Sequence, residues 1–226
     1  MTASKRTPDE TPLRAVTPAK RLADAVYDGV KPRIISGVYK PGERLSVEDL
    51  CREFQVSRQP VMDALRRLSG EWLVEIMPQV GCRVTSYDSR AFRDFLATFG
   101  EMEGQVGALA AERRTPEQLA ALDRQLKVLT DRAEDLAAFR RAEREFHSLV
   151  LQTANSEIIA RLCEQMWDFG DFVYSTLVGS RKDDPELVRE TLESQTRLVQ
   201  AIRNQNQPLA RLHMAVWLTG VLATVT

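Results

Sequence analysis

The spacing of apolar residues divides the chain into two parts near residue 87. Up to that point, short segments of helical periodicity alternate with turn residues and one pair of strand-like runs. Beyond it, long segments of helical periodicity continue to the end of the chain without a strand pattern. This arrangement predicts a small α+β part followed by an all-α antiparallel bundle of about six helices.

The first part contains three predicted helices and a hairpin. Residues 20–35 place apolar side chains on one face of an amphipathic helix. Ser46 is positioned to cap a second helix that ends near Phe54, and Ser57 to cap a third that ends near Leu68. The short join between these two helices is typical of a helix-turn-helix.

Two β-prone runs, residues 72–77 and 82–85, follow directly and flank a turn that contains Gly81. A hairpin in this position is a wing, so the order of elements predicts a winged helix-turn-helix. In the second part, the predicted helices begin near residues 89, 116, 136, 157, 185 and 206.

The charge of the whole chain, 31 Lys and Arg against 32 Asp and Glu, gives a net of −1 and on its own argues against a nucleic-acid partner. Residues 1–87, however, carry 14 basic and 11 acidic residues, a net of +3, whereas residues 88–226 carry 17 and 21, a net of −4. The positive charge therefore belongs to the part that contains the predicted helix-turn-helix.

Several sequence features bear on the compartment and on the ends of the chain. Residues 1–17 are polar and contain no apolar segment, so we expect a disordered arm and not a secretory signal. No apolar run is long enough for a transmembrane span. Cys51, Cys82 and Cys163 are widely spaced, which favours buried free thiols in the cytoplasm over disulfides or a cysteine-rich zinc site.

Candidate DNA contacts follow from the helix-turn-helix. Arg58 and Gln59 lie in the first turn of its second helix, where such proteins read base edges, and Ser57 precedes the exposed amides that bind phosphate. The alternative is an ordinary solvated helix face. The candidate phosphate and wing contacts are Arg44, Arg66, Arg67, Gln79, Gly81 and Arg83.

Three segments of the first part resemble the N-terminal domain of GntR-type transcriptional regulators. They are residues 35–45 (ISGVYKPGERL), 56–61 (VSRQPV) and 64–68 (ALRRL). Two positions depart from the pattern of that family, because Glu48 and Met62 stand where relatives often carry Arg. The loss of these two cations should weaken phosphate binding and increase the dependence on Arg58, Gln59, the wing and dimer avidity.

The helical remainder, with Phe146-His147, Asn155 and Ala201-Ile202 ahead of Asn206, is similar to the FCD effector domain of the FadR-like subfamily. The resemblance implies a homodimeric repressor that binds a pseudo-palindromic operator and a small-molecule effector. It also implies a DNA-binding domain over residues 18–87 and an effector-binding and dimerisation domain over residues 88–226.

Many relatives hold a divalent metal, such as zinc or nickel, with one Asp and three His in the bundle. The matching positions in this chain are Glu143, His147, Gln195 and Trp217, and His213 lies one turn before Trp217 on the same face. Such a metal site would be degenerate. The alternative is a buried His147 that is hydrogen-bonded to Glu143 or Gln195.

Phe99 stands where relatives place an Arg that clamps an effector carboxylate. With Phe99, Gln195 and Trp217 in place of charged or metal-binding groups, we expect a pocket that is more apolar than in relatives and an effector that is aromatic or bulkier and less acidic, not a carboxylate held by a metal or an Arg. Alternatively, Phe99 and Trp217 fill the core, and the protein is an architectural DNA-binding dimer.

A third interpretation of the sequence is an enzyme whose active site lies in the helical bundle. The chain has neither the paired Glu-x-x-His motifs of di-iron bundles nor the His-Glu-x-x-His motif of zinc proteases, and it contains two histidines in all. We therefore expect no catalytic residues.

Overall fold

The computed structural model describes residues 18–178 and 185–224, and for residues 18, 19, 174, 177, 178 and 216–224 it describes the backbone alone. The elements that precede residue 88 are here called the head, and the later helices the bundle. The head consists of α1 (Pro18–Ile35), β1 (Arg44–Leu45), α2 (Val47–Phe54), α3 (Arg58–Gly70), β2 (Val74–Met77) and β3 (Gly81–Val84). The winged helix-turn-helix predicted from the sequence is therefore confirmed.

The core of the head forms where α1 packs against α3. Val26, Val30 and Ile34 recur every four residues on α1 and are fully buried, because this spacing places them on one face of the helix. They belong to the same core as Val61 and Leu65 of α3. This packing fixes the orientation of α3, whose opposite face remains exposed.

The sheet of the head has three antiparallel strands in the order β1-β3-β2. The β2–β3 hairpin is the predicted wing, with Val74 opposite Val84 and Met77 opposite Gly81. Strand β1 was not predicted, because two residues are too few for an alternating pattern to be visible. It pairs with β3 and brings Arg44 beside Arg83 at the wing.

The bundle contains six helices among the described residues, in agreement with the sequence. They are α4 (Ser89–Arg113), α5 (Pro116–Asp131), α6 (Leu136–Ala154), α7 (Glu157–Val178), α8 (Pro185–Arg203) and α9 (Gln207–Thr224). Local signals set these bounds. Asp88 caps α4, Thr115 and Gln118 form a capping box on α5, and Asn155 ends α6 in the left-handed conformation.

Helices α4 and α9 make the closest contact in the bundle. A Cβ atom on Gly107 of α4 would lie 2.6 Å from the carbonyl oxygen of Ala210 and 2.8 Å from the Cβ of Met214, both on α9. Glycine is needed at this position because the two backbones approach too closely for a side chain.

The head contacts the bundle through α1 and α7. The ring of Phe169 on α7 meets the rings of Trp72 and Tyr87 edge to face, with centroids 5.8 Å apart in each pair. Ion pairs of Lys31 extend the same interface. Within residues 18–178 and 185–224, no helix is long and apolar enough to cross a membrane.

Candidate functional site

The exposed face of α3 carries the basic and amide side chains of the helix-turn-helix. Gln59 and Arg66 lie seven residues apart and thus on one face, and Arg58 occupies the first turn. All three are exposed, which leaves them accessible to the edges of base pairs in a major groove. The structure therefore brings together three of the residues predicted to contact DNA.

Acidic residues hold these side chains in the free protein. Glu48 of α2 pairs with Arg58 at 3.3 Å, and Asp63 of α3 accepts hydrogen bonds from Gln59 at 2.9 Å and from Arg66 at 2.7 Å. DNA must replace these contacts when it binds, so part of the binding energy is offset by their loss.

Ser57 occupies the N-cap position of α3, but its side chain makes no capping hydrogen bond, contrary to the prediction. An N-cap oxygen accepts a hydrogen bond from the second or third residue of the helix. The third residue here is Pro60, which has no N–H group. Pro60 therefore removes one of the two donors that could cap this helix through Ser57.

Arg67 does not share the exposed face with Gln59 and Arg66. Its guanidinium lies 3.8 Å from the ring centroid of Tyr27 and donates to Asp24 at 2.6 Å, so it fastens α3 to α1. The sequence grouped Arg67 with the phosphate contacts because basic residues at adjacent positions look alike in a pattern. In the structure, the two arginines point in different directions around the helix.

The wing carries the remaining candidates. Arg44 on β1 donates to the carbonyl oxygen of Val80 at 3.4 Å, and Arg83 on β3 pairs with Glu75 at 2.8 Å. Gln79 is exposed at the tip with a φ of 62°, and Gly81 has a φ of 130°. Of these positions, Gly81 is the one where backbone geometry calls for glycine.

A cavity of about 660 Å³ lies beside His147, within the size range of ligand pockets. Helices α6, α7 and α8 form most of its wall, Phe99 contributes from α4, and α1 of the head closes one side. Phe139, Trp167 and Val188 give the wall a mainly apolar character. The described residues therefore leave an open space beside Phe99, while the side chain of Trp217, the other residue expected to fill the core, lies outside them.

The structure brings together only some of the predicted effector residues. Phe99, Glu143 and His147 line the cavity. Gln195 is buried behind His147, with its Nε2 atom 3.1 Å from the Nε2 atom of the imidazole. His213 is half-buried and does not belong to the described wall, and the side chain of Trp217 lies outside the described residues.

Glu103 of α4 is a buried carboxylate that the sequence did not single out as a site residue. Its Oε1 atom accepts a 2.5 Å hydrogen bond from the indole N–H of Trp167, and its Oε2 atom lies 3.8 Å from Nδ1 of His147. Gln195 of α8 contacts the same His147 side chain, so residues of α4, α6, α7 and α8 form one polar network. The available signal was a carboxylate on the apolar face that also carries Phe99 and Val106.

The environment of the cavity shifts the pKa values of its titratable groups. Burial raises the pKa of Glu143 to about 7, and the nearby carboxylates of Asp171 and Glu103 add to this rise against the effect of Arg140. Burial, followed by the charge of Arg144, lowers the pKa of His147 to about 4. The imidazole is consequently neutral at pH 7.

Three cationic side chains border the cavity, namely Arg140, Arg144 and Lys31. Arg144 pairs with Asp168 at 2.6 Å and with Asp171 at 2.9 Å. The wall of the cavity is mainly apolar, and it nevertheless carries cations, which the matched position Phe99 alone did not indicate. None of these three cations was among the pocket residues predicted from the sequence.

The residues of the cavity do not fit a divalent metal. No group of three His, Cys, Asp or Glu side chains within the described residues is arranged to hold an ion. Gln195 stands at one of the matched histidine positions and donates its amide to His147. The degenerate zinc or nickel site at Glu143 and His147 therefore has too few donors to close a coordination shell.

Two family models match the chain. Residues 22–84 match the model described as bacterial regulatory proteins, gntR family. Residues 94–219 match the FCD domain model. Both families, like the relatives below, are transcriptional regulators and not enzymes.

Curated relatives and solved structures cover most of the chain. The HTH-type transcriptional regulator YdhC of Bacillus subtilis is 23% identical over 83% of this chain and 84% of its own length. The galactonate operon transcriptional repressor of Escherichia coli is 26% identical over 81% of this chain and 87% of its own. The structure of E. coli McbR/YncC superposes with a TM-score of 0.73 at 25% identity, covering 90% of this chain and 96% of that one.

Proposed function

Because this chain belongs to the GntR family of bacterial transcriptional regulators and carries an FCD domain, we propose that it is a repressor that binds a pseudo-palindromic operator as a homodimer and is controlled by a small-molecule effector. The observation that carries the DNA-binding part is the exposed face of α3, with Arg58, Gln59 and Arg66 presented beside the wing. The repressor role rests on relatives such as the galactonate operon repressor.

The cavity supports the effector-binding part of the proposal. Its wall combines aromatic side chains with the guanidinium groups of Arg140 and Arg144. This composition suits an effector that has an aromatic or other bulky apolar body and a polar or anionic group directed at α6.

The homodimer has a candidate surface on the first half of α7. Ile158 and Leu162 lie one turn apart on this helix and are 75% and 48% exposed. Glu157 and Arg161, of opposite charge, flank them. Around a two-fold axis, such a surface can face a second copy of itself with its charges complemented.

The DNA-binding proposal is tested with duplexes from the region upstream of the gene and with sequences selected in vitro. We expect sequence-selective binding that weakens steeply between about 50 and 200 mM salt, with a footprint of two half-sites. Arg58→Ala should weaken specific binding by about 1–3 kcal/mol and change the base preference. Arg189→Ala, on α8 of the bundle, is the matched control. Binding without sequence preference would refute the proposal.

The dimer is tested by sedimentation velocity. We expect the wild type to sediment as a dimer and Ile158→Glu to sediment as a monomer that binds a single half-site weakly. Leu209→Glu, at another exposed apolar position on α9, should remain dimeric. A dimeric Ile158→Glu variant would show that the interface lies elsewhere.

The effector proposal is tested by thermal melting with a panel of aromatic carboxylic acids and their amides. A ligand that binds only the native cavity raises the melting temperature, and the stabilisation grows with the logarithm of the ratio of ligand concentration to Kd. We expect some members to stabilise the wild type and to change its affinity for the operator. A panel without any stabilising member would contradict this chemical class.

A further inference from the structure

One wall of the cavity does not belong to the bundle. Lys31, Pro32, Ile35 and Ser36, from the last turn of α1 and the residue after it, line the cavity together with α6, α7 and α8. Helix α1 also packs directly on α3, the helix that presents Arg58 and Gln59. A molecule in the cavity would therefore touch the same helix that supports the exposed face of α3.

Lys31 joins this wall to both parts of the molecule. Its ammonium group donates to the hydroxyl of Tyr27 at 2.7 Å and pairs with Glu71, at the end of α3, at 2.7 Å. The same group pairs with Asp168 of α7 at 2.6 Å. The side chains of Lys31 and Asp168 are only 16% and 26% exposed, so solvent screens this pair less than a surface pair.

On the bundle side, the contacts of Lys31 with Asp168 lead on to residues that line the cavity. Asp168 also pairs with Arg144, whose guanidinium lies 4.9 Å from the ring centroid of Trp167 and binds Asp171. Arg144, Trp167 and Asp171 are all cavity residues. An unbroken series of contacts thus leads from the cavity wall to the end of α3.

We propose that the effector site is a composite site closed by α1 of the head, and that Lys31 is the residue through which the occupied cavity acts on α3. This inference rests on the proposed function, because it assigns the same cavity a second contact surface and a route to DNA. A ligand with an anionic group competes with Asp168 for Lys31 and Arg144. The loss of that pair changes the position of α1 relative to α7.

The composite cavity is tested with 1-anilinonaphthalene-8-sulfonate, an apolar aromatic anion whose fluorescence increases in an apolar site. We expect one saturable site per chain in the full-length wild type. Ile35→Trp from the head and Val188→Trp from the bundle should each weaken binding about tenfold, because each fills the cavity. Val38→Trp, an exposed position in the turn after α1 and outside the cavity wall, should bind like the wild type.

A second head variant keeps the test valid if Ile35→Trp does not fold. Ser36 is exposed, so Ser36→Trp can enter the cavity mouth without disturbing the core. Weaker binding of the probe by either folded head variant supports the composite site. If Val188→Trp prevents binding while both head variants bind normally, the site belongs to the bundle alone and the inference is wrong.

The role of Lys31 is tested by hydrogen exchange of the full chain. Lys31→Met keeps the aliphatic stem and removes the charge. We expect exchange about fivefold faster in residues 27–36 and 160–172. Lys40→Met removes the same charge from an exposed position and should leave both segments unchanged. Unchanged exchange in residues 160–172 of Lys31→Met would show that this bridge does not hold the head to the bundle.

These outcomes are separate from those of the proposed function. If the protein binds no operator but gives the expected results with the sulfonate probe and in hydrogen exchange, the composite cavity stands and the proposed function is wrong. If the wild type binds operator but has no saturable site for the sulfonate probe, the DNA-binding proposal stands. The assignment of the cavity as an effector site, and with it the composite site, is then wrong.

Discussion

Replacement of Glu48 by Gln should increase the affinity of the protein for its operator. Glu48 is the acidic partner of Arg58 in the free protein, with 3.3 Å between the carboxylate and guanidinium groups. DNA must displace this carboxylate before Arg58 can contact a base. The carboxylate itself also repels the phosphates that approach α2 and α3.

The size of the effect follows from the exposure of the pair. The side chains of Arg58 and Glu48 are 69% and 73% exposed, so water and salt screen their attraction. An exposed pair of this kind contributes about 0.2–1 kcal/mol. Its removal should therefore strengthen binding by a factor of about 1.4 to 5, since 1.4 kcal/mol corresponds to a factor of ten.

Fluorescence anisotropy with an operator duplex selected by the wild-type protein measures this change at several salt concentrations. Glu186→Gln is the control, because Glu186 on α8 also pairs with an exposed arginine, Arg189, and its replacement changes the net charge equally. We expect no more than a small gain from Glu186→Gln. In an Arg58→Ala background, the gain from Glu48→Gln should fall, because only the repulsion between the carboxylate and the phosphates is then removed.

Two results would refute this reasoning. Weaker binding by Glu48→Gln would show that the carboxylate positions Arg58 for DNA instead of competing with it. An equal gain from Glu186→Gln would show that net charge, and not the pair at α3, determines the affinity.

Three further substitutions test the packing, titration and surface assignments. Gly107→Ala should destabilise the protein by about 1–2 kcal/mol in urea unfolding, because overpacking against Ala210 outweighs the better helix propensity of alanine. The raised pKa of Glu143, about 7, makes the folded state bind more protons than the unfolded state between about pH 4.5 and 7, so stability attributable to this group falls as pH rises. Glu143→Gln should remove that loss, as measured by unfolding at a series of pH values. Arg67→Ala should lower the melting temperature, because it loses the contact with Tyr27, while the salt dependence of DNA binding stays close to that of the wild type.

Each of these predictions has a matched comparison. Gly70→Ala adds a methyl group where no atom lies within 4 Å, so it should not destabilise the protein. His147→Gln should give the opposite pH effect to Glu143→Gln, because the lowered pKa of His147, about 4, makes stability rise with pH between about 4 and 6.5. Arg66→Ala should reduce the salt dependence and spare the melting temperature. The reverse pattern for the two arginines would contradict the assignment of Arg67 to the α1–α3 contact.

The elements themselves were predictable because their signals are local. The capping box at Thr115 and Gln118, the N-caps at Ser46 and Asp88 and the left-handed Asn155 each act within a few residues. Strand β1 escaped prediction because a pair of residues such as Arg44 and Leu45 becomes a strand only when β3 lies beside it. The missing cap at Ser57 is a different case, because Pro60, which removes one of the two possible donors, is visible in the sequence.

The candidate site was less predictable, because its residues come from distant segments. A pattern identified Arg66 and Arg67 as basic neighbours, but only packing against α1 turned Arg67 towards Tyr27. Phe99 and His147 were predicted because they occupy positions matched to the family. Glu103 and Arg144 were identified only from their contacts in the structure.

The sequence by itself therefore determined the helices, the wing, the family and the position of the positive charge, because each depends on residue order and short-range chemistry. The tertiary structure alone decided that the bundle contains a cavity, that α1 of the head closes it, and that Lys31 reaches Asp168. These features depend on which side chains meet across α1, α6 and α7. Distances between such segments are set by the packing of the whole core and are not encoded in the spacing of any one segment.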